Sequence, residues 1–309
     1  MGRLRTAVQQ HGPIFSEPSE TYGEGPLLFR IGKPILGGTG LIAALVTDYL
    51  SQRPSPSSIQ WICNHSRNTQ LALFYGYIDL ALTYEREQEE ISVNEGWAIN
   101  AGCVAHDHFC LAGPRHDPAG IRGSSSIVEA FDRIAASKAL FHSRSDGSAT
   151  MWKEHGIWQR CHRRPWAEDQ ENNSWYNQSP CIPSEAVARA DTEGAYLLCD
   201  RSTLLTQTAK GVISSMTVFL EPTGAWHELM NSCYALISPS TPRETAEEVS
   251  RFLDYLKSSR GQRVVAEYGR DRAGLPLFAT LEEGYASSSL TGGVAKNNRW
   301  TVSLRQTKL

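Results

Sequence analysis

The sequence predicts an α/β fold of two lobes, each a mostly parallel sheet flanked by helices. Three observations carry that reading. Short apolar runs of period two alternate along the chain with segments whose apolar residues recur every three or four positions, the pattern of strand, helix, strand units that lie in parallel. Small polar or glycine-rich turns join the ends of the strands to the starts of the helices. The chain has 309 residues, enough for one large domain or two lobes, each with a real core.

Residues 1–26 carry prolines, glycines and mixed polar residues without periodicity and read as an extended arm. Phe29–Gly32 with Ile35-Leu36 reads as a strand that enters the turn Gly37-Gly38-Thr39-Gly40, after which Leu41, Ile42, Leu45, Val46, Tyr49 and Leu50 mark a helical face. Ser57–Cys63 is a second strand, Thr69–Tyr75 a helix opened by Thr69, and Ile78–Thr83 a third strand. A hydrophobic strand over Cys103–Gly113 runs into the turn Pro114-Arg115-His116-Asp117-Pro118, where a second lobe begins. Ile127–Leu140 follows as an amphipathic helix, and Leu140-Phe141-His142 is a short strand that ends at Ser143-Arg144-Ser145-Asp146-Gly147-Ser148. Helices are expected over Met151–Trp158, Ser184–Asp191, Pro242–Ser258 and Gly261–Tyr268, and strands over Tyr196–Cys199, Met216–Leu220 and Cys233–Ile237. The Ser- and Gly-rich residues 287–309 are expected to be disordered.

Charge and composition exclude several classes. Thirty Lys and Arg against 33 Asp and Glu give a net charge of −3, so no general positive field exists for nucleic acid. No run approaches the roughly 18 apolar residues of a membrane span. The amino terminus lacks an apolar signal core, so the sequence as it stands reads as cytoplasmic, with the compartment open. The seven cysteines form no C-x-x-C pair, and free thiols are expected. His106-Asp107-His108 has the donors for a metal with a distant third ligand, but strand alternation explains it more simply, and no metal or other cofactor is expected.

Two turns share one arrangement, a strand end leading into a helix start, where backbone N–H groups and the positive helix end converge on one spot. The first is Gly37–Gly40, with Gly38, Thr39 and Gly40 as donors. The second is Ser143–Ser148, where Ser143 and Ser145 flank the fixed charge of Arg144. Neither is a Walker loop or a dinucleotide fingerprint, and no G-x-S-x-G elbow surrounds the serines.

Several blocks, in order, resemble the periplasmic tungstate- and molybdate-binding proteins that feed ABC importers. They are Asp79-Leu80-Ala81-Leu82-Thr83, Gly113-Pro114-Arg115-His116-Asp117-Pro118-Ala119-Gly120-Ile121, Ser143–Thr150, Gly194–Leu204 and Phe252–Gln262. The resemblance spans roughly residues 29–282. It implies a type II periplasmic-binding-protein-like fold with lobe 1 formed by 27–105 plus 236–286 and lobe 2 by 106–235, and an oxyanion held between lobes that close on it. It also implies ligand contacts from Arg144, Ser143 and Ser145, and from Thr69, which stands at the family's Gly-Thr-Gly-Gln helix start. A monomer is expected, with an ABC permease as partner only if the chain is exported. The chain departs from the family in its short first loop and in Pro180-Cys181-Ile182-Pro183, where prolines replace N–H donors. A non-catalytic binding role therefore leads. An enzyme on a small anionic metabolite, with His142, His155 or Cys181 as reactive group, stays open, as does a repurposed fold that meets a protein partner through Trp152, Trp158, Trp166 and Trp175.

Overall fold

A computed structural model describes residues 5–34, 40–168, 173–224, 226–284, 287–289 and 301–303. The chain divides into two compact units, the first of Met1–Ile35, Gly40–His106 and Ser232–Ala266, the second of Leu36–Thr39, Asp107–Asn231 and Glu267–Leu309.

In the first unit the elements are β1 (Glu20–Gly23), β2 (Leu27–Lys33), α1 (Leu41–Leu50), β3 (Ser58–Cys63), α2 (Ser66–Phe74), β4 (Leu80–Thr83), α3 (Arg86–Asn94) and the start of β5 (Ile99–Pro114). β2 pairs in parallel with β3 and β4, as the strand–helix–strand spacing predicts. The sheet is extended by the antiparallel β1 beside β3. Ile62, Ala72, Leu73, Ile78 and Ala81 form a dry cluster between α2 and the sheet.

The second unit holds the rest of β5, α4 (Ile127–Ser137), β6 (Phe141–Ser143), α5 (Ala149–Arg160), β7 (Tyr176–Gln178), α6 (Pro183–Glu193), β8 (Tyr196–Asp200), α7 (Arg201–Ala209) and β9 (Met216–Leu220). β6 lies parallel to β7 and β8, and β5 lies antiparallel to β8 and β9. Its core is aromatic: Phe131, Phe141, Trp158, Trp175 and Tyr176 are buried together, with Phe131 and Trp158 ring centroids 4.4 Å apart. Two of the four tryptophans considered as partner contacts, Trp158 and Trp175, are thus core residues, and Trp166 packs against the same cluster. Ring burial at that scale stabilises by several kcal/mol per residue, about 3–5 for a lost Trp or Phe.

β10 (Met230–Ile237) brings the chain back to the first unit, where it pairs antiparallel with β4 and is followed by α8 (Arg243–Lys257) and α9 (Ser259–Glu267). Val249, Phe252, Leu253 and Leu256 line the buried face of α8, as the period of 3.6 requires. Phe252 meets Phe29 and Tyr49 at 5.4 and 5.1 Å. A short helix α10 (Arg270–Ala273) and the antiparallel pair β11 (Ser287–Ser289) and β12 (Thr301–Ser303) complete the chain.

Three expectations are corrected. Part of the arm over 1–26 is sheet: β1 adds an edge strand, because Glu20 to Gly23 pair residue by residue with Trp61 to Ser58. The arm before it is held by asparagine side chains, Asn68 to the backbone of His11 and Pro13 and Asn64 to both backbone groups of Phe15. Residues 267–284 group with the second unit and not with lobe 1, since the buried Arg201 of α7 donates to the carbonyls of Pro276 and Leu277 at 3.0 and 2.9 Å. Of residues 287–309, expected to be disordered, Ser287–Ser289 and Thr301–Ser303 pair with each other, while 290–300 and 304–309 lie outside the described residues.

Candidate functional site

The loop after β6 is built by its own polar side chains. Ser145 and Gly147 take left-handed backbone angles, φ 47° and 73°, which fold the segment back on itself. Asp146 Oδ1 accepts from the Ser148 amide at 3.1 Å, and Ser148 caps α5 by accepting from Met151 N. Trp152 Nε1 donates to the Gly147 carbonyl at 3.1 Å, pinning the turn from the helix side.

Arg144 is 7% exposed inside this loop. One terminal nitrogen pairs with Asp146 Oδ2, the other reaches Thr150 Oγ1 at 3.4 Å, and Nε has no hydrogen-bond partner among the described residues. A buried guanidinium with an unused N–H is a donor waiting for an acceptor, since leaving it so costs about 1–3 kcal/mol. Ser145 Oγ meets Gln178 at 3.3 Å, and the Ser143 carbonyl accepts from Ser179 N. Thus Ser143 ends β6, and Arg144 and Ser145 open the loop that follows it.

Beneath the loop lies a residue that sequence reasoning did not place there. Glu154 on α5 is buried and accepts from Tyr176 Oη at 2.6 Å and Trp158 Nε1 at 3.2 Å, with the Ser143 hydroxyl beside it. Burial pushes its carboxyl up to about 8, against the lowering pull of those two hydrogen bonds and of the Ser143 hydroxyl. The signal in the sequence is the i to i+4 spacing of Glu154 and Trp158 inside the helix expected over Met151–Trp158.

Gly38 and Thr39 lie outside the described residues. Gly40 is the N-cap of α1 at φ 78°, and no side chain caps that helix. Thr69 requires correction: α2 starts at Ser66, three residues earlier. The Thr69 amide already donates to His65 O at 2.7 Å and its hydroxyl to Asn64 O at 3.0 Å, so both of its donors are engaged inside the helix. The hydroxyl at the helix start is that of Ser66, 1% exposed and without a hydrogen-bond partner among the described residues. Ser at the first turn is itself an N-terminal signal. Arg67 next to it is tied to Glu85 at 2.7 Å and Gln9 at 2.9 Å, and burial raises Glu85 to about 7 in spite of that arginine.

The three residues considered for catalysis each have their own surroundings. His142 Nε2 faces Glu193 at 2.9 Å and burial lowers its pKa. His155 stacks on Trp166 at 3.7 Å. The Cys181 thiol is raised by burial, the reverse of what activates a nucleophile, although the Arg144 charge acts on it. Pro183 is the first residue of α6, so the missing N–H of that proline falls where a helix would leave it unpaired.

Two α/β units with parallel central strands, whose strand ends lead through polar loops into helix starts, define a ligand-binding protein of the two-unit α/β kind. The chain belongs to the PBP superfamily, whose domain model matches residues 38–260. It is 29% identical over 237 residues, 74% of this chain and 67% of the relative, to a Haloferax volcanii protein assigned as an ABC transporter anion-binding protein. It is 28% identical to the tungstate-binding protein TupA of Peptoclostridium acidaminophilum over 209 residues, 66% of this chain and 68% of that one. Among solved structures, a periplasmic protein assigned as metal-binding matches with a TM-score of 0.75 at 26% identity, over 85% of this chain and 98% of that one. TupA of Desulfovibrio alaskensis matches in fold with a TM-score of 0.66 at 20% identity, over 83% and 99%. No helix among the described residues is long and apolar enough to cross a membrane.

Proposed function

We propose that this chain captures a tetrahedral oxyanion of the tungstate or molybdate type and that its two units close on the ligand. Arg144 is the charged donor in this reading. The observation that carries it is the unpartnered Nε of that buried guanidinium, in a loop whose backbone is bent by Ser145 and Gly147. Support comes from relatives named as anion- and tungstate-binding proteins. Arginine suits the task because its planar fork keeps its charge at every accessible pH, and charge-assisted hydrogen bonds are about twice as strong as neutral ones. The Asp146 carboxylate holds Arg144 and the Ser148 amide at once, so it fixes the direction in which the free N–H points. We also assign donors to Gly38, Thr39 and Gly40, the three residues that precede α1 in sequence, and to Ser66 at the start of α2. A permease of the ABC class is the partner this role implies.

The test is calorimetric titration of the purified chain with tungstate, molybdate, sulfate and phosphate, with Arg144→Ala in parallel and its unfolding midpoint measured. Binding of one of the four that is lost in a folded Arg144→Ala supports the assignment. Undiminished binding in that variant removes Arg144 from the site, and silence of the wild-type chain toward all four anions overturns the ligand class.

A further inference from the structure

Outside the loop after β6, the second unit gathers three metal-ligating side chains in one place. A ring nitrogen of His108, the Cys110 Sγ and a carboxylate oxygen of Glu221 all lie within 4.8 Å of one another. Strand geometry makes this arrangement. His108 and Cys110 are two apart on β5 and so share a face. Leu111 of β5 pairs with Leu220 of β9, so the next antiparallel step sets Glu221 across from Cys110. His108 Nδ1 is 3.7 Å from Cys110 Sγ. A tetrahedral ion with M–N of about 2.0 Å and M–S of about 2.3 Å separates its nitrogen and sulfur ligands by about 3.5 Å. The two atoms are therefore already close to the spacing that such an ion imposes.

The surroundings also suit a cation. Cys199 of β8 pairs with Cys110, and its thiol lies 3.7 Å from the Cys110 carbonyl. Asp107 and Asp200 are held in place by the Ser202 hydroxyl at 2.7 and 2.9 Å. His108 and Cys110 are buried while Glu221 is half-buried, which leaves the carboxylate side as the way in.

We propose that His108, Cys110 and Glu221 form a binding site for a borderline-soft divalent cation of the zinc type, with a fourth position left to water. On binding, the Cys110 S–H bond breaks, its proton passes to solvent and a metal–sulfur bond forms, with no change of oxidation state. The mixed N, S and O set is what this class of ion takes, and three protein ligands leave the coordination open. The site lies apart from the Arg144 loop in sequence and in ligand chemistry, so it stands or falls independently of anion capture.

The experiment uses the untagged full chain and Co2+ as the optical probe. One equivalent of Co2+ is expected to give a thiolate-to-cobalt charge-transfer band in the near ultraviolet, bleached by one equivalent of Zn2+, with proton release. Cys110→Ser is expected to abolish the band, whereas Cys63→Ser and Cys103→Ser keep it. Glu221→Gln, at a half-buried position that does not threaten folding, is expected to keep the band but weaken Co2+ binding at least about tenfold. Absence of the band in the wild-type chain, its survival in Cys110→Ser, or unchanged affinity in Glu221→Gln overturns the site as drawn.

Discussion

Replacing Glu154 by glutamine isolates the energetic weight of one buried acid. The carboxyl titrates near 8 in the folded chain against an ordinary value of 4.5, with desolvation as the leading cause. Its folded pKa lies above its unfolded one. Between pH 4.5 and 8 the unfolded chain has therefore lost a proton that the folded chain still holds, and stability falls as pH rises through that window. Each pH unit inside it is worth about 1.4 kcal/mol, so the acid costs roughly 3 kcal/mol at pH 7 relative to pH 4.5 and somewhat more above 8. Glutamine is nearly the same size, keeps an oxygen that accepts from Tyr176 and Trp158, and does not ionise. Glu85 and Asp107 are also raised by burial, to about 7 each, so the wild-type slope alone does not isolate Glu154. The quantity to read is the difference between wild type and Glu154→Gln in urea unfolding free energy at pH 5, 6, 7 and 8. A gap that opens by roughly 2–4 kcal/mol in favour of the variant over that range is expected. A gap that stays constant refutes the placement of a protonated Glu154 beneath the Ser143–Ser145 turn.

Other outcomes are expected of the same structure. Thr69→Val leaves oxyanion affinity within about twofold, since the hydroxyl is bonded to Asn64 O, whereas Ser66→Ala lowers it by roughly fivefold to tenfold, the worth of one hydrogen bond; calorimetry reads both. Gly261→Ala lowers the unfolding free energy by about 1–3 kcal/mol, because a Cβ there falls 2.2 Å from the Tyr255 carbonyl oxygen; equality with wild type in urea denaturation tells against the tight α8–α9 junction. Trp158→Ala costs about 3–5 kcal/mol through the cavity it opens among Phe131, Phe141 and Trp175, and a shift below 1 kcal/mol in the same assay means that the aromatic core is packed otherwise.

What the sequence disclosed follows the physics of periodicity. β2, β3, β4, β8 and β9 and the helices α1, α4 and α8 are amphipathic or densely apolar, and they stand within a few residues of where the patterns put them. α7 was not legible: Arg201, Ser202, Thr203 and Gln207 are buried beside Leu204 and Leu205, so polar residues occupy core positions and erase the apolar stripe. β1 escaped for another reason, since a four-residue exposed edge strand has no buried face to betray it. In the candidate site, the loop holding Arg144 was visible because its charge, its hydroxyls and its glycine are contiguous. Thr69 was misplaced because threonine caps helices so often, while the partners that fix the start of α2, Asn64 and Asn68, bind backbone some fifty residues away. Long-range side-chain to backbone bonds leave no periodic trace.

The path of the chain between its units bears on how it is made. The sheet of the first unit needs β10, and its last helices end near residue 266, yet residues 107–231 of the second unit are synthesised in between. A ribosome adding roughly 5–20 residues each second takes about 7 to 26 s to cover the 131 residues from 107 to the end of β10 at 237. For that time β4 presents an unpaired edge where β10 will lie, an invitation to pair with another nascent chain. The strands β6 to β9 of the inserted unit are all made before β10 is, so of the two sheets it is the first unit's, begun earlier, that is finished later.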